Sequence, residues 1–170
     1  MHLKRLLIVI LFLLSPYSFA DFNAKVVNIV DGDTIDVLDG YNQKLRIRLL
    51  GIDTPERKQQ FGYESYFYLN KILHGKSVVI ISSPDKDKPY TLGYFKRVIG
   101  KVVLNDVDIN LEMIKKGMAW HFIKYKKNQP IDESHSYNRA ESEARKKYIG
   151  LWSDPNPVPP WKWRQQNRKK

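Results

Sequence analysis

Lys44-Leu45-Arg46-Ile47-Arg48-Leu49-Leu50-Gly51-Ile52-Asp53-Thr54-Pro55-Glu56 is the stretch on which the fold turns. Its first part alternates. Leu45, Ile47 and Leu49 share one face of a strand, and Arg46 and Arg48 share the other. Such a strand, read over Lys44 to Ile52, has one face to bury and one available for work. It runs into an acidic turn, where Pro55 holds Thr54 extended and can aim its carbonyl at a cation. A second acidic turn lies upstream in Val30-Asp31-Gly32-Asp33-Thr34. Carboxylates suit a hard, oxygen-loving cation, and an arginine beside them suits a phosphate. Together they describe a site for cutting a phosphodiester.

Outward from this stretch the chain reads as short strands followed by helices. Lys25 to Val30 and Thr34 to Leu38 are predicted strands, with Asp31-Gly32 as the turn signal between them. Ser77 to Ser82 is β-branched and apolar, hence a buried strand, and Val98 to Leu104 is another. Pro84 to Pro89 reads as a charged loop. Helices are predicted over Glu64 to Leu73, stopped by Gly75, and over Asn110 to Lys116, capped by Asp108 or Asn110 and ended at Gly117. A longer one covers Glu133 to Tyr148, with Ala140, Ala144 and Leu151 facing inward. Strands without regular β-α alternation argue for an α+β fold, and their short lengths for a small barrel.

The first 20 residues read as a secretory signal peptide. Lys4 and Arg5 precede the apolar run Leu6 to Leu14, and Ser18-Phe19-Ala20 offers small residues where a peptidase would cut. The alternative is an uncleaved anchor, but the run is short for a bilayer. One domain is expected over 21–153, and 154–170 is expected to be a flexible, Pro-rich basic tail. No later segment is apolar enough to cross a membrane. The formal charge of +11 falls to +9 once Lys4 and Arg5 leave, which favours a polyanionic partner, nucleic acid or a membrane surface. The chain has no cysteine, which excludes disulfides, thiolate metal sites and lipoprotein acylation.

Taken singly, each candidate has a plainer reading. Asp-Gly is most often a hairpin turn. Asp31 takes the turn position, and Asp33, just past it, is the better ligand candidate. Asp53 before Thr54-Pro55 could be a helix cap or Asx turn, Glu56 an exposed loop carboxylate, and Arg46 and Arg48 a solvated strand face. The combination is more specific. Val-Asp-Gly-Asp-Thr followed by Arg-Leu-Leu-Gly-Ile-Asp-Thr-Pro-Glu closely resembles the staphylococcal nuclease family. The likeness continues through Gln60-Phe61-Gly62, Val107 to Ile114, Gly117-Met118-Ala119-Trp120 and Gly150-Leu151-Trp152-Ser153.

That resemblance implies a five-stranded oligonucleotide/oligosaccharide-binding barrel with about three helices. It also implies hydrolysis of DNA and RNA with calcium (Ca2+), leaving 3′-phosphorylated products. Carried over, Asp33 and Asp53 would be carboxylate ligands of the calcium, and Thr54 would add its carbonyl. Glu56 would position or deprotonate the attacking water, and Arg48 and Arg97 would bind the scissile phosphate. Calcium takes roughly six to eight oxygens, so this set leaves room for water and phosphate. Two arginines offer permanently charged forks to a transition state gaining negative charge.

The sequence departs from the family pattern around Gly93-Tyr94-Phe95-Lys96-Arg97, where an aspartate and a glycine are replaced and Lys96 can share the role of Arg97. Near the nucleobase Tyr125 is kept, Ile123 replaces a second tyrosine, and Phe122 lies beside it. His121 lies among aromatics and reads as a hydrogen-bonded structural histidine, with a general base as the alternative. Trp161-Lys162-Trp163-Arg164 suits base stacking and phosphate contact, or equally a tail packing its tryptophans back on the domain. The expectation is an exported, monomeric phosphodiesterase in the periplasm or outside the cell. The alternatives are a barrel that binds nucleic acid without cutting it and a tail-mediated attachment to a membrane surface.

Overall fold

A computed structural model describes residues 20–82, 97–123 and 129–168. Strand β1, Ala20–Asp31, pairs along both edges, with β2 (Thr34–Asp39) on one side and β5 (Ser77–Ser82) on the other, both antiparallel. Register shifts between Val26 and Asn28 and between Ile29 and Asp31 bend the strand, as bulges do, and let one strand serve both halves of the sheet. Strand β3, Lys44–Leu49, follows β2 antiparallel and then lies parallel to β6, Val98–Leu104, which itself pairs with β5. The order β3-β2-β1-β5-β6 with the β3–β6 pairing closes a five-stranded barrel, the α+β architecture expected. Its interior is the alternate residues of each strand, including Val26, Ile35, Ile47, Leu49, Ile80 and Val102, each at most 1% exposed.

The long strand predicted over Lys44 to Ile52 is interrupted. After Leu49 the chain turns at Leu50-Gly51, with Gly51 at φ 75°, and resumes as the short β4, Ile52–Asp53. Asn110 accounts for the break. Its buried amide donates to the Leu50 carbonyl at 2.9 Å, and its oxygen accepts the Val102 N–H at 3.1 Å. The freed main-chain groups are thereby satisfied inside the core, where leaving them unpaired would be costly.

Helix α1, Gly62–Leu73, packs Leu69 and Leu73 on the barrel. The short β7, Val107–Asp108, leads into α2, Ile109–Lys115, which Asp108 caps by accepting the Leu111 N–H at 2.9 Å. Strand β8, Trp120–His121, pairs antiparallel with β4 and sets Trp120 opposite Asp53. Helix α3, Ile131–Lys146, begins two residues before the predicted start and packs on α2. No helix among the described residues is long and apolar enough to cross a membrane.

The end of the chain corrects the expectation of a flexible tail. After a 3₁₀ turn at Gly150–Ser153 the prolines lead into α4, Pro160–Gln166, with proline in its first turn where the missing N–H costs nothing. Trp161 stands edge-on to Trp120 at 5.7 Å and tilted on Phe122 at 5.5 Å, and Trp120 in turn meets Trp152 at 4.3 Å. Gln59 ties the same segment down by donating to the Val158 carbonyl at 2.6 Å. Packed aromatic surface of this kind outweighs the ordering cost that proline-rich composition suggests. The predicted leader, apart from Ala20, and the Pro84 to Pro89 loop lie outside the described residues.

Candidate active site

The β1–β2 hairpin sets the first carboxylates. Asp31 pairs opposite Thr34, so the two-residue loop is Gly32-Asp33, one residue later than the turn signal suggested. Asp31 ends the strand and accepts the Asp33 N–H on its own carboxylate at 3.0 Å. A β-carbon on Gly32 would stand 2.8 Å from both Ser65 Cβ and Thr54 Oγ1, so the hairpin can approach the second acidic turn only as glycine. Asp33 is then buried, with Oδ2 accepting from the Thr54 N–H at 3.0 Å and the Thr54 hydroxyl at 3.1 Å.

The second turn is fixed from three sides. β4 holds Asp53 beside Trp120, and Asp53 is only 2% exposed. Gln59 accepts the Glu56 N–H at 3.2 Å. Gly62 packs so tightly that a β-carbon there would overlap the Glu56 carbonyl, at 1.9 Å, which seats Glu56 against the start of α1. Arg48 rises from β3 between the two turns. One of its nitrogens, Nη2, lies 3.0 Å from Asp33 Oδ2 and 3.1 Å from Asp53 Oδ1, while Nη1 donates to the Leu49 carbonyl at 3.0 Å. Its strand neighbour Arg46 belongs elsewhere, forked onto Asp36 at 2.7 and 3.2 Å. Arg97 immediately precedes β6, which runs beside β3.

These residues line one open cleft of about 1280 Å³ that includes Asp33, Arg48, Asp53, Thr54, Glu56 and Arg97. The six positions carried over from the resemblance are thus brought together. Lys96 and Tyr125 lie outside the described residues. Phe122 and the exposed Ile123 are on the cleft wall, and buried His121 faces Gln129 with Nε2 3.4 Å from Oε1.

Two further residues reach the cleft that sequence reading did not place there. Asp31, set aside as a turn residue, lines it. Burial, followed by the charge of Asp33, pushes its carboxyl up to about 7. Arg164, on α4, grips the second turn. Its Nη2 is 2.7 Å from Asp53 Oδ2, and its Nη1 is 3.2 Å from Asp53 Oδ1 and 2.8 Å from Glu56 Oε1. The signal available for it was local: Trp161 and Arg164 are three residues apart and share a helix face.

The electrostatics follow from this crowding. Burial raises the Asp53 carboxyl above its ordinary value, against the pull of Arg164, and the charge of Asp33 adds to the rise. Burial lowers the Arg97 guanidinium, and the positive charge of Arg48 lowers it further, against the nearby Asp33 and Asp31 carboxylates. Arg164 moves the other way, because its bonds to Asp53 and Glu56 outweigh its burial.

The donors fit a hard cation. Asp33 and Asp53 already converge on one cationic atom of Arg48, and the Thr54 carbonyl belongs to the same turn. Among the described residues no three His, Cys, Asp or Glu side chains gather as a metal cluster. A cation here would therefore rest on two carboxylates, a carbonyl, and oxygens from water or substrate.

Comparison with known proteins fits this geometry. A family model described as staphylococcal nuclease homologue matches residues 46–154, ending before α4. The chain is 36% identical over 162 residues to an "Uncharacterized endonuclease" of Haemophilus influenzae, covering 95% of this chain and 84% of that protein. It is 34% identical over 166 residues to an "Uncharacterized endonuclease" of Escherichia coli, covering 96% and 99%. It is 37% identical over 164 residues to a "Micrococcal nuclease" of Shigella flexneri, covering 94% and 90%.

Proposed function

The chain belongs to the staphylococcal nuclease family, and from that premise we propose that it is an exported, calcium-dependent nuclease cutting DNA and RNA. Nuclease action on nucleic acid follows from its relatives. The finer reading is supported chiefly by one observation: Asp33, Arg48, Asp53, Glu56 and Arg97 face a single cleft although they come from four separate segments.

Arg48 and Arg97 bind the non-bridging oxygens of the scissile phosphate and counter the charge that grows in the transition state, a reading supported by their shared cleft. Glu56 is half-exposed on the cleft wall, where it orients a water or takes its proton. Asp33, Asp53 and the Thr54 carbonyl would hold calcium, which when bound supplies positive charge that polarises the phosphate. Cleavage on the 5′-oxygen side leaves 3′-phosphorylated products. The leader-like first residues support export to the periplasm or beyond, and the chain acts as a monomer.

Digestion of plasmid and of RNA, with calcium, with chelator and with Glu56→Gln, tests this reading. Cleavage of both substrates that needs calcium and fails in the variant is the expected result. Single strands bound but left uncut with calcium present would overturn it in favour of a non-catalytic binding barrel.

A further inference from the structure

We propose that Arg164 is a built-in counter-ion that competes with calcium for the Asp53 oxygens, so that α4 sets the cation concentration at which the site loads. The inference rests on the calcium reading above.

Both oxygens of Asp53 are engaged by the Arg164 fork, at 2.7 and 3.2 Å, and the Glu56 carboxylate takes a third bond at 2.8 Å. A divalent cation on Asp53 would stand within contact range of the guanidinium, and like charges at that distance repel. Guanidinium and cation therefore cannot share this carboxylate at full strength. One must yield.

Arg164 is the partner built to yield. Arg48 also touches Asp53, but it is fixed within β3, 18% exposed, and braced by the Leu49 carbonyl. Arg164 is 41% exposed and stands on a seven-residue helix near the end of the chain. What holds that helix is Trp161 against Trp120 and Phe122, one turn before Arg164 on the same face. Trp120 pairs directly opposite Asp53 across β4–β8, so docking the tryptophan delivers the arginine to the carboxylate. Helix α4 lies beyond the segment that matches the family model. Competition of this kind weakens apparent affinity by the fraction of molecules in which the site is open.

Calorimetric titration of the chelator-stripped full chain with calcium chloride, without nucleic acid, tests this directly. Arg164→Gln is expected to bind calcium about tenfold more tightly than wild type, corresponding to an open fraction of about one in ten. Arg164→Lys, with a single point charge in place of the fork, should fall between. Trp161→Leu loosens α4 without removing a charge and should also tighten binding, which covers the case of a poorly folded Arg164 variant. Unchanged or weaker binding in Arg164→Gln, with wild-type binding measurable, overturns the inference and assigns Arg164 to holding the site together. Absence of calcium binding in both proteins overturns the calcium reading, and the inference falls with it.

Discussion

Asp33 Oδ2 accepts both the main-chain N–H and the hydroxyl of Thr54, at 3.0 and 3.1 Å, across 21 positions of sequence. The two acidic turns are thus one unit, joined by the residue expected to donate its carbonyl. Asp33 has three kinds of partner at once: Thr34, Thr54 and Arg48. A carboxylate so tethered has little freedom to turn away from a cation or substrate.

Thr54→Val keeps the N–H bond to Asp33 and removes the hydroxyl. We expect a stability loss of about 1 kcal/mol by urea unfolding, the usual contribution of one such bond. Initial cleavage rates should fall roughly tenfold as Asp33 loosens. A wild-type rate would show that the hydroxyl has no part in ordering the site.

Glu56→Gln and Arg48→Ala should differ in stability although both lose activity. Each is expected to slow cleavage by about 10²-fold or more. Glu56 is half-exposed, so its variant should melt close to wild type. Arg48 neutralises two buried carboxylates, so its variant should melt lower without calcium and recover when calcium is added. Thermal melts with calcium and with chelator distinguish the two.

Asp36 gives a pH-dependent prediction outside the site. Burial would raise its carboxyl, but hydrogen bonds from Arg46, Asn28 and Lys44 prevail and hold it at about 2, below the ordinary 3.8. A depressed carboxyl stabilises the fold above its unfolded value, and that contribution is lost as pH falls from about 4 through 2. Asp36→Asn should cost roughly 1–2 kcal/mol at pH 7, allowing for screening at the exposed Arg46 and Lys44 ends. Urea unfolding should also show a flatter decline between pH 4 and 2 than in wild type.

Asn110→Ala should be among the more damaging single changes. It strands the Leu50 carbonyl and the Val102 N–H in the core. A loss of about 2–4 kcal/mol is expected by urea unfolding. Asn110→Asp, which keeps the acceptor but loses the donor to Leu50, should be nearly as harmful.

What the sequence revealed depended on how local each signal was. Alternation in Leu45, Ile47 and Leu49 shows the barrel-facing side of β3 directly, because each strand residue reports its own face. Asp53, Thr54 and Glu56 are legible as a site because they are contiguous. The hairpin was displaced by one residue, since Asp-Gly chemistry names a turn but not which residue ends the strand. Asp31 pairs with Thr34, and that pairing depends on the bulged register of β1. Arg164 was legible only as part of a basic, tryptophan-bearing segment, not as a partner of Asp53. It lies 111 positions from Asp53, and the packing of Trp161 against Trp120 and Phe122, with the Gln59 bond to Val158, brings it there. Proline-rich composition speaks for disorder only when nothing downstream anchors the segment.

The barrel closes where β3 meets β6, the parallel pairing among otherwise antiparallel ladders in the described barrel. Arg48 sits opposite Ile99 across that seam, and Arg97 lies just before the strand on its far side. The two arginines therefore belong to opposite lips of the joint. A partial opening there would spread the lips while leaving each antiparallel ribbon intact. With Arg48 and Arg97 in the proposed phosphate-binding roles, catalytic competence is a gauge of ring closure, and it would fail before the secondary structure does.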